Sequence, residues 1–294
     1  MFTIDSLTHT LFGFTLYGTV NKEQVTKKEK AAFFLTSVGS SLIPDIDVIS
    51  KWWDTEGMYQ MWHRGITHSL FVTPLWALFF YLSSRYLLRV NDRRIFFLAL
   101  IGVWIHCTSD LFNAWGTGYF EPFSQIRISI GTIPIIDFVV WVIIFLTWFS
   151  VRLFKTKRLP KHYYYRIGFA FIAFHFIVQT IQGYIVLQPY YAENDHVSLT
   201  ASFVPWNFQV ITKNKERVQI YSDNLFKEKE LLATIESKED ANLDELFAKN
   251  PKAKTLYEWS PFVVVVDDEN RLGIYDPRFY RNGKSFLFEY IEKK

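Results

Sequence analysis

The stretch RRIFFLALIGVWIHCTSDLF, residues 93–112, is a long apolar run that begins with two arginines and carries His106 and Asp110 near its far end. Crossing the hydrocarbon core of a bilayer takes about 20 mostly apolar residues, so this run predicts a membrane-spanning helix over Ile95–Phe112. Ionisable side chains inside such a helix are costly and indicate function. Residues four apart share one helix face, so His106 and Asp110 can bind one ion or two adjacent ions.

The composition of the whole chain agrees with a membrane protein. Half of the 294 residues are hydrophobic, 19% are aromatic and only 21% are charged, which is unusual for a soluble domain. The net charge of +3 is small and dispersed, so we expect no nucleic-acid partner. Cys107 is the single cysteine, which excludes an intrachain disulfide and a cysteine-based zinc ribbon. The N-terminus lacks the features of a signal peptide, and we expect it to be retained.

The hydropathy pattern predicts four clear spans and two shorter ones. The shorter segments, Leu7–Val20 and Ala31–Ile43, are interrupted by polar residues and either span or form a re-entrant hairpin. Because they come as a pair, either alternative leaves the orientation of the later spans unchanged. The four clear spans are Leu70–Leu88, Ile95–Phe112, Pro134–Phe154 and Ile167–Leu187.

Lysines and arginines are distributed unevenly between alternate loops, and this asymmetry predicts the orientation. One set of loops carries 14 of them and the other set only Lys51, Arg64 and Arg127. We therefore expect the basic loops in the cytoplasm, and the N-terminus, the 51–69 and 113–133 loops and everything after residue 188 outside. The 14 basic residues are Lys22, Lys27, Lys28, Lys30, Arg85, Arg89, Arg93, Arg94, Arg152, Lys155, Lys157, Arg158, Lys161 and Arg166.

From about Tyr190 the character of the chain changes. Short β-branched and aromatic runs alternate with turn residues, which predicts strands. Between them, Asn224–Ser237 and Asn242–Lys249 have the pattern of short amphipathic helices. We therefore predict a polytopic α-helical membrane domain over residues 1–189, followed by a β-rich α+β extramembrane domain over residues 190–294 on the outer face.

The ionisable residues of the membrane domain are predicted to share one depth. Under the orientation deduced from lysines and arginines, eight histidines and aspartates fall at the outer ends of the spans. The orientation was deduced without these histidines and aspartates. Their shared depth is therefore independent support for the expectation that they converge on one site. The predicted metal ligands are His9, Asp45, Asp47, His63, His68, His106, Asp110 and Asp137.

Imidazoles with several carboxylates and no thiolate describe a site for one or two divalent cations. Zinc is favoured, with manganese or iron as alternatives. Such a metal would lower the pKa of a bound water toward 7 and supply a hydroxide nucleophile. Asp45 or Asp47 would then act as general base, and Arg64 would either steady a phosphate or anchor the chain at the interface. His175 falls in mid-span, and we expect it to bond a neighbouring helix.

Five motifs within residues 1–150 resemble, in the same order, those of the bacterial YdjM/YfhP family. They are THTLFG, PDID, HRGITHS, HCTSD and NAWGTGYFEPFS. The family is described as membrane-bound, metal-dependent hydrolases, so the resemblance implies a membrane protein with a metal site and a hydrolytic activity. A β-rich tail is typical of the YfhP-like members.

A more distant similarity is to zinc-dependent phospholipase C and the P1-type nucleases, which gather three zinc ions. Their ligand order is an early histidine, a central Asp and His, and an H-x-x-x-D pair. His9, Asp45 or Asp47, His68, and His106 with Asp110 match that order. A further histidine and an H-x-x-x-E pair are absent, so one or two ions are expected instead of three.

These observations lead to the hypothesis of a multi-pass hydrolase of the bacterial cytoplasmic membrane. Its metal site would face outward and cleave a phosphoester or another ester in a lipid or lipid-linked substrate, with the bilayer as partner and the oligomeric state left open. A divalent-ion transporter would instead spread polar residues through the membrane depth, and the cytoplasmic halves of the spans lack them. A non-catalytic scaffold with a structural metal is a third interpretation.

Overall fold

The structure is a computed structural model that describes residues 4–153, 159–281 and 283–293. It divides into two compact units. The first unit comprises Met1–Asp47 and Arg64–Val178, and the second comprises Val48–His63 and Gln179–Lys294. The predicted helix end at Phe154, and the predicted cytoplasmic residues Lys155, Lys157 and Arg158, lie outside the described residues. The predicted domain boundary after residue 189 stays a prediction.

Seven α-helices precede the sheets in the described part of the chain. Three stretches of 3-10 helix accompany them, over Ile43–Trp52, Ile66–His68 and Gln188–Ala192. The α-helices are α1 (Ile4–Gly18), α2 (Lys27–Ser40), α3 (Tyr59–Trp62), α4 (Thr73–Leu87), α5 (Arg94–Leu111), α6 (Phe138–Leu153) and α7 (Lys161–Leu187).

Two of these helical segments are long and apolar enough to cross a membrane, by length and composition alone. They are α5 and the segment that runs from Lys161 through the 3-10 turn to Ala192. Two bent helix pairs, which include α2 and α4, raise the number to four if each pair is one span. The helical N-terminal region is confirmed, but the predicted count of four clear and two shorter spans is not.

Local signals explain where α2 begins and how closely it packs. Thr26 caps its N-terminus, and Thr26 and Glu29 form a reciprocal capping box. At Gly13 of α1, a Cβ atom would lie 2.8 Å from the Cα of Val38, so only glycine lets α1 and α2 approach this closely. Gly102 serves α5 in the same way, because a Cβ there would lie 2.1 Å from Ser40 Oγ.

Apolar side chains hold the first unit together on both sides of α1. One core joins α1, α2 and α5. A second core joins α1, α6 and α7. The buried residues are Leu16, Ala32, Phe33, Val90, Ile95 and Leu98 in the first core, and Phe12, Val140, Ile144 and Ile172 in the second.

The second unit is rich in sheet, which confirms the predicted change of character after residue 190. The strands are β1 (His196–Ala201), β2 (Phe208–Asn214), β3 (Arg217–Asn224), β4 (Lys227–Glu236), β5 (Val264–Asp267), β6 (Arg271–Tyr275), β7 (Tyr280–Arg281), β8 (Lys284–Ser285) and β9 (Phe288–Glu292). An antiparallel four-stranded sheet has the order β1-β2-β3-β4, and a three-stranded sheet has the order β5-β6-β9. Helices α8 (Asp244–Lys249) and α9 (Pro251–Trp259) stand between them in sequence.

One predicted element of the second unit is wrong. Asn224–Ser237 was expected to be a helix, but Lys227–Glu236 is strand β4, paired antiparallel with β3. Its Glu, Lys and Leu residues favour helix in isolation, yet cross-strand pairing overrides such a weak preference. Ala233 and Ile235, two residues apart, pack against the core of the unit. The second predicted helix, Asn242–Lys249, is confirmed as α8.

Candidate metal centre

Two histidines and two aspartates converge in the first unit. His68, His106, Asp45 and Asp110 each offer one ligand atom, and these atoms all lie within 4.8 Å of one another. His106 and Asp110 stand one turn apart on α5. Asp45 lies in the first turn of the 3-10 helix after α2, and His68 ends the 3-10 turn before α4. We call these four residues the cage. The Asp45 side chain is 12% exposed and the other three are 2% exposed or less, so the cage opens beside Asp45.

Five of the six distances within the cage are close to those of a tetrahedron around one ion, and the sixth, between the Asp45 and Asp110 oxygens, is within 4.8 Å. His68 Nε2 lies 3.1 Å from His106 Nε2, 3.5 Å from Asp45 Oδ1 and 3.4 Å from Asp110 Oδ2. His106 Nε2 lies 3.6 Å from each of the same two carboxylate oxygens. Ligands held about 2.0–2.2 Å from a tetrahedral metal are separated by about 3.3–3.6 Å. The four residues therefore fit one tetrahedral divalent ion.

The hydrogen bonds behind the two histidines leave their Nε2 atoms available to a metal. His106 Nδ1 lies 2.7 Å from the backbone oxygen of Ser41, and a carbonyl only accepts, so Nδ1 must donate. Thr67 Oγ1 donates to Asp47 Oδ2 at 2.9 Å and therefore accepts from His68 Nδ1, 3.0 Å away. With Nδ1 protonated in both rings, the Nε2 lone pairs face the cage.

Asp47 supports the cage from outside. Its Oδ2 accepts from the backbone N–H of Arg64 and from the Thr67 hydroxyl, and it lies 3.4 Å from His68 Nδ1. A carboxylate in this position orients a metal-binding imidazole and raises its basicity. The proposed role of Asp47 as a direct ligand stays a prediction.

Arg64 is the largest of the fully buried side chains among the described residues and is turned toward the cage. Its Nε lies 3.2 Å from Asp110 Oδ2, and its Nη1 donates to Asn113 Oδ1 at 2.6 Å. Its backbone has the left-handed φ of 59°, a costly conformation that neighbours hold in place. The Gly118 N–H donates to the Arg64 carbonyl at 2.7 Å.

The charges around the cage are those that a divalent cation would balance. Asp45, Asp47 and Asp110 carry three negative charges and Arg64 one positive charge, which leaves two negative charges beside neutral histidines. Asp110 Oδ2 already faces the Arg64 guanidinium, whereas Asp45 Oδ2 is buried and accepts no hydrogen bond within the described residues. Buried carboxylate oxygens need such partners or a metal, so the unmet demand supports a cation at this place.

His9 contacts the cage from α1. Its ring stacks on that of His106 with centroids 3.7 Å apart, and its Nε2 lies 3.3 Å from Asp110 Oδ1. Asp110 thus presents Oδ2 to the cage and Oδ1 to His9. A cavity of about 20 Å³, lined by His9, Asp110, Asn113 and Asp137 among others, adjoins this side, and its volume suffices for one water molecule.

Two predicted ligands have other neighbours. Asp137 Oδ2 lies 2.8 Å from His175 Nε2, and its Oδ1 accepts the backbone N–H groups of Val139 and Val140 at the start of α6. This contact confirms that His175 bonds another helical segment. His63 belongs to the second unit, where its ring stacks on Tyr59 with centroids 5.0 Å apart. Coordination by Asp137 or His63 stays a prediction.

The sequence offered weaker signals for three residues that support the site. Thr67 lies inside the motif HRGITHS, Asn113 opens NAWGTGYFEPFS, and Ser41 contributes only its backbone oxygen. Glu121, from the same motif as Asn113, lies in the loop that packs on Ser69, whose hydroxyl donates to the Glu121 carbonyl. Burial raises the pKa of the Glu121 carboxyl, and the positive charge of Arg127 opposes that rise.

Apolar helices around a buried cage of histidines and aspartates define a membrane protein with a candidate metal centre. Comparison with known proteins gives the family. The chain belongs to the family described as YdjM inner membrane protein, which matches residues 4–186 and so includes every residue of the cage. This confirms the resemblance seen in the motifs.

A curated relative supports the same assignment. The chain is similar to the uncharacterized protein YfhP of Bacillus subtilis strain 168, with 28% identity over 144 residues. The match covers 46% of this chain and 42% of YfhP, so it spans less than half of that protein's length. No solved structure matches the chain.

Proposed function

We propose that the protein is a membrane-embedded, metal-dependent hydrolase. The observation that carries this proposal is the cage, with two Nε2 atoms and two carboxylate oxygens at the separations of one tetrahedral ion. A bound divalent cation, for which zinc is the best candidate, would act as a Lewis acid and make water a better nucleophile at neutral pH. The proposal includes a second ion as an alternative, which His9 and Asp110 Oδ1 would hold.

Asp45 is the residue best placed to take a proton during hydrolysis. Its Oδ1 faces His68 and His106, whereas its Oδ2 accepts no hydrogen bond within the described chain. It is also the most exposed member of the cage, so a substrate would approach on its side. Asp47 is held by Arg64 N–H and the Thr67 hydroxyl, which favours a role in orienting His68 over a role as base.

Arg64 contributes a fixed positive charge. Because its Nε and Nη1 contact Asp110 and Asn113, it holds Asp110 in place and offsets part of the negative charge. A direct contact with a substrate phosphate would have to use the rest of the guanidinium group.

The proposed substrate is a phosphoester or another ester in a lipid or lipid-linked molecule. His106 and Asp110 stand in the last two turns of α5, a segment suited to cross the membrane. A site at the end of such a helix lies at the depth of lipid headgroups. The proposal further places this end, and the second unit, on the outer face of the bacterial cytoplasmic membrane.

Metal analysis and lipid turnover test the proposal together. Detergent-purified wild type should hold a stoichiometric divalent ion and should hydrolyse fluorogenic phosphoester or carboxylic-ester lipids, whereas His106→Ala should lose both. His162→Ala, in the basic segment at the start of α7, is the matched control and should keep both. If the wild type binds metal but hydrolyses no ester lipid, the hydrolase proposal fails, and the non-catalytic scaffold and the divalent-ion transporter remain as hypotheses. Metal flux into proteoliposomes would then identify the transporter.

A further inference from the structure

One end of the four-stranded sheet in the second unit exposes large apolar side chains. Because the strands run antiparallel in the order β1-β2-β3-β4, the β1–β2 turn and the β3–β4 turn lie at the same end. We call these two turns, residues 202–207 and 225–226, the apolar end. Its exposed side chains are Phe203, Val204, Trp206, Leu225 and Phe226, with exposed fractions from 43% to 72%.

The C-terminal end of α7 packs directly against this part of the sheet. The Tyr190 hydroxyl, just after α7, donates to Asp223 Oδ2 at 2.7 Å, and its ring lies 5.3 Å from that of Tyr221. Asp223 is the second-last residue of β3, two residues before the β3–β4 turn. Val186 near the end of α7 belongs to the same buried cluster as Phe208, the first residue of β2.

The position of α7 indicates what the apolar end faces. The segment Lys161–Ala192 is one of the two that are long and apolar enough to cross the membrane. Residues near 190 therefore come to the surface of the bilayer, and the contacts with Asp223 and Phe208 hold the apolar end close to that surface. Aromatic and aliphatic side chains at this level are typical of segments that enter the headgroup region.

Basic residues flank the apolar end. Lys229 Nζ lies 4.9 Å from the Tyr190 ring centroid and 5.3 Å from that of Tyr221. Lys227 is two residues earlier, at the start of β4. The Arg281 guanidinium lies 5.1 Å from the Phe203 ring centroid. Cations at this end of the sheet, one of them beside the exposed Phe203 ring, match the headgroups of anionic lipids.

We infer that the apolar end of the four-stranded sheet inserts into the headgroup region of the bilayer that α7 crosses, with Lys227, Lys229 and Arg281 contacting anionic lipid. The second unit is thereby attached to the membrane by its sheet as well as by its helix. This inference is independent of the proposed hydrolase activity, because none of its residues belongs to the cage.

Site-specific fluorescence quenching in vesicles tests the inference. An environment-sensitive label is attached to Phe226→Cys, or to Val204→Cys in the other turn, in the full chain with Cys107→Ala. The matched control is Glu216→Cys, exposed in the β2–β3 turn at the opposite end of the sheet, about 20 Å away. Each labelled protein is reconstituted into phosphatidylcholine–phosphatidylglycerol vesicles with and without brominated lipid.

The expected result is emission at shorter wavelength and quenching at least about twofold stronger at positions 226 and 204 than at 216, since only buried labels meet acyl chains. Equal quenching at both ends of the sheet, or no quenching at 226 and 204, would overturn the inference. A shift to shorter wavelength that persists in detergent and grows with protein concentration would also overturn it, because it would indicate a second copy of the chain on this surface.

Discussion

At the level of single residues, Asp110 connects the parts of the candidate centre. Its Oδ2 lies 3.4 Å from His68 Nε2, 3.6 Å from His106 Nε2 and 3.2 Å from Arg64 Nε, and its Oδ1 lies 3.3 Å from His9. One carboxylate is therefore a candidate ligand, the partner of a buried guanidinium and the neighbour of the His9 imidazole. Its loss should affect metal binding and stability together.

Asp110→Asn should lower metal affinity by more than about 100-fold, because it removes a charged ligand and not only an outer support. It should also lower the unfolding temperature, because Arg64 is left as a buried charge without its carboxylate. Competition with a fluorescent chelator measures the affinity, and a thermal scan measures stability. Asp92→Asn, in the loop before α5, is the control. If Asp110→Asn keeps full metal affinity, Asp110 is not a metal ligand.

The size of the affinity loss in an Asp47 variant distinguishes an orienting role of Asp47 from direct coordination. If it orients His68 through Nδ1, Asp47→Asn should weaken metal binding by about 10- to 100-fold, without changing the number of ions bound. The same chelator titration applies. A loss as large as that of His68→Ala would instead make Asp47 a direct ligand, as the sequence-based prediction held.

At the level of elements, the close approach of α5 to the end of α2 places His106. Gly102 leaves no side chain between α5 and Ser40, and one turn later His106 Nδ1 donates to the Ser41 carbonyl. Asp45 follows within the 3-10 helix that begins at Ile43, where Pro44 occupies the first turn and suits a helix start. The separation of α2 and α5 therefore controls the separation of Asp45 from His106.

Gly102→Val should destabilise the protein by about 1–3 kcal/mol through overpacking and should weaken metal binding, because α5 must move away from Ser40. Ile101→Val, at the neighbouring exposed position of α5, is the control and should change neither quantity by much. Denaturant unfolding and metal titration on the same samples measure the two effects. Wild-type metal affinity in Gly102→Val would contradict the dependence of the cage on helix separation.

At the level of the whole molecule, the proposed topology makes a direct prediction. Glu258→Cys in α9 should react with a membrane-impermeant maleimide in intact cells, whereas Arg93→Cys before α5 should react only after permeabilisation. The parent chain is the control, because its one thiol, Cys107, is buried. Both introduced positions are exposed. The opposite labelling pattern would place the second unit in the cytoplasm and reverse the orientation deduced from lysines and arginines.

The sequence by itself determined the class of protein, the family and much of the candidate centre. An apolar run of sufficient length predicts a helix such as α5 regardless of its neighbours, and the spacing of four residues places His106 and Asp110 on one face. The ordered motifs predicted the family and included every member of the cage. These features are local along the chain, so they can be recognised without knowledge of the packing.

Only the tertiary structure decided which predicted residues meet. His68 and His106 are 38 residues apart in sequence, and the backbone oxygen that supports His106 is 65 residues from it. Asp137 was predicted as a ligand from its place at the start of a span, and the structure shows its Oδ2 2.8 Å from His175 Nε2, a residue 38 positions away. Residues 227–236 have helical composition, yet pairing with β3 makes them a strand. The first three contacts join distant segments, and the last joins a strand to its neighbour, so in each case pairing with another segment outweighs local preference.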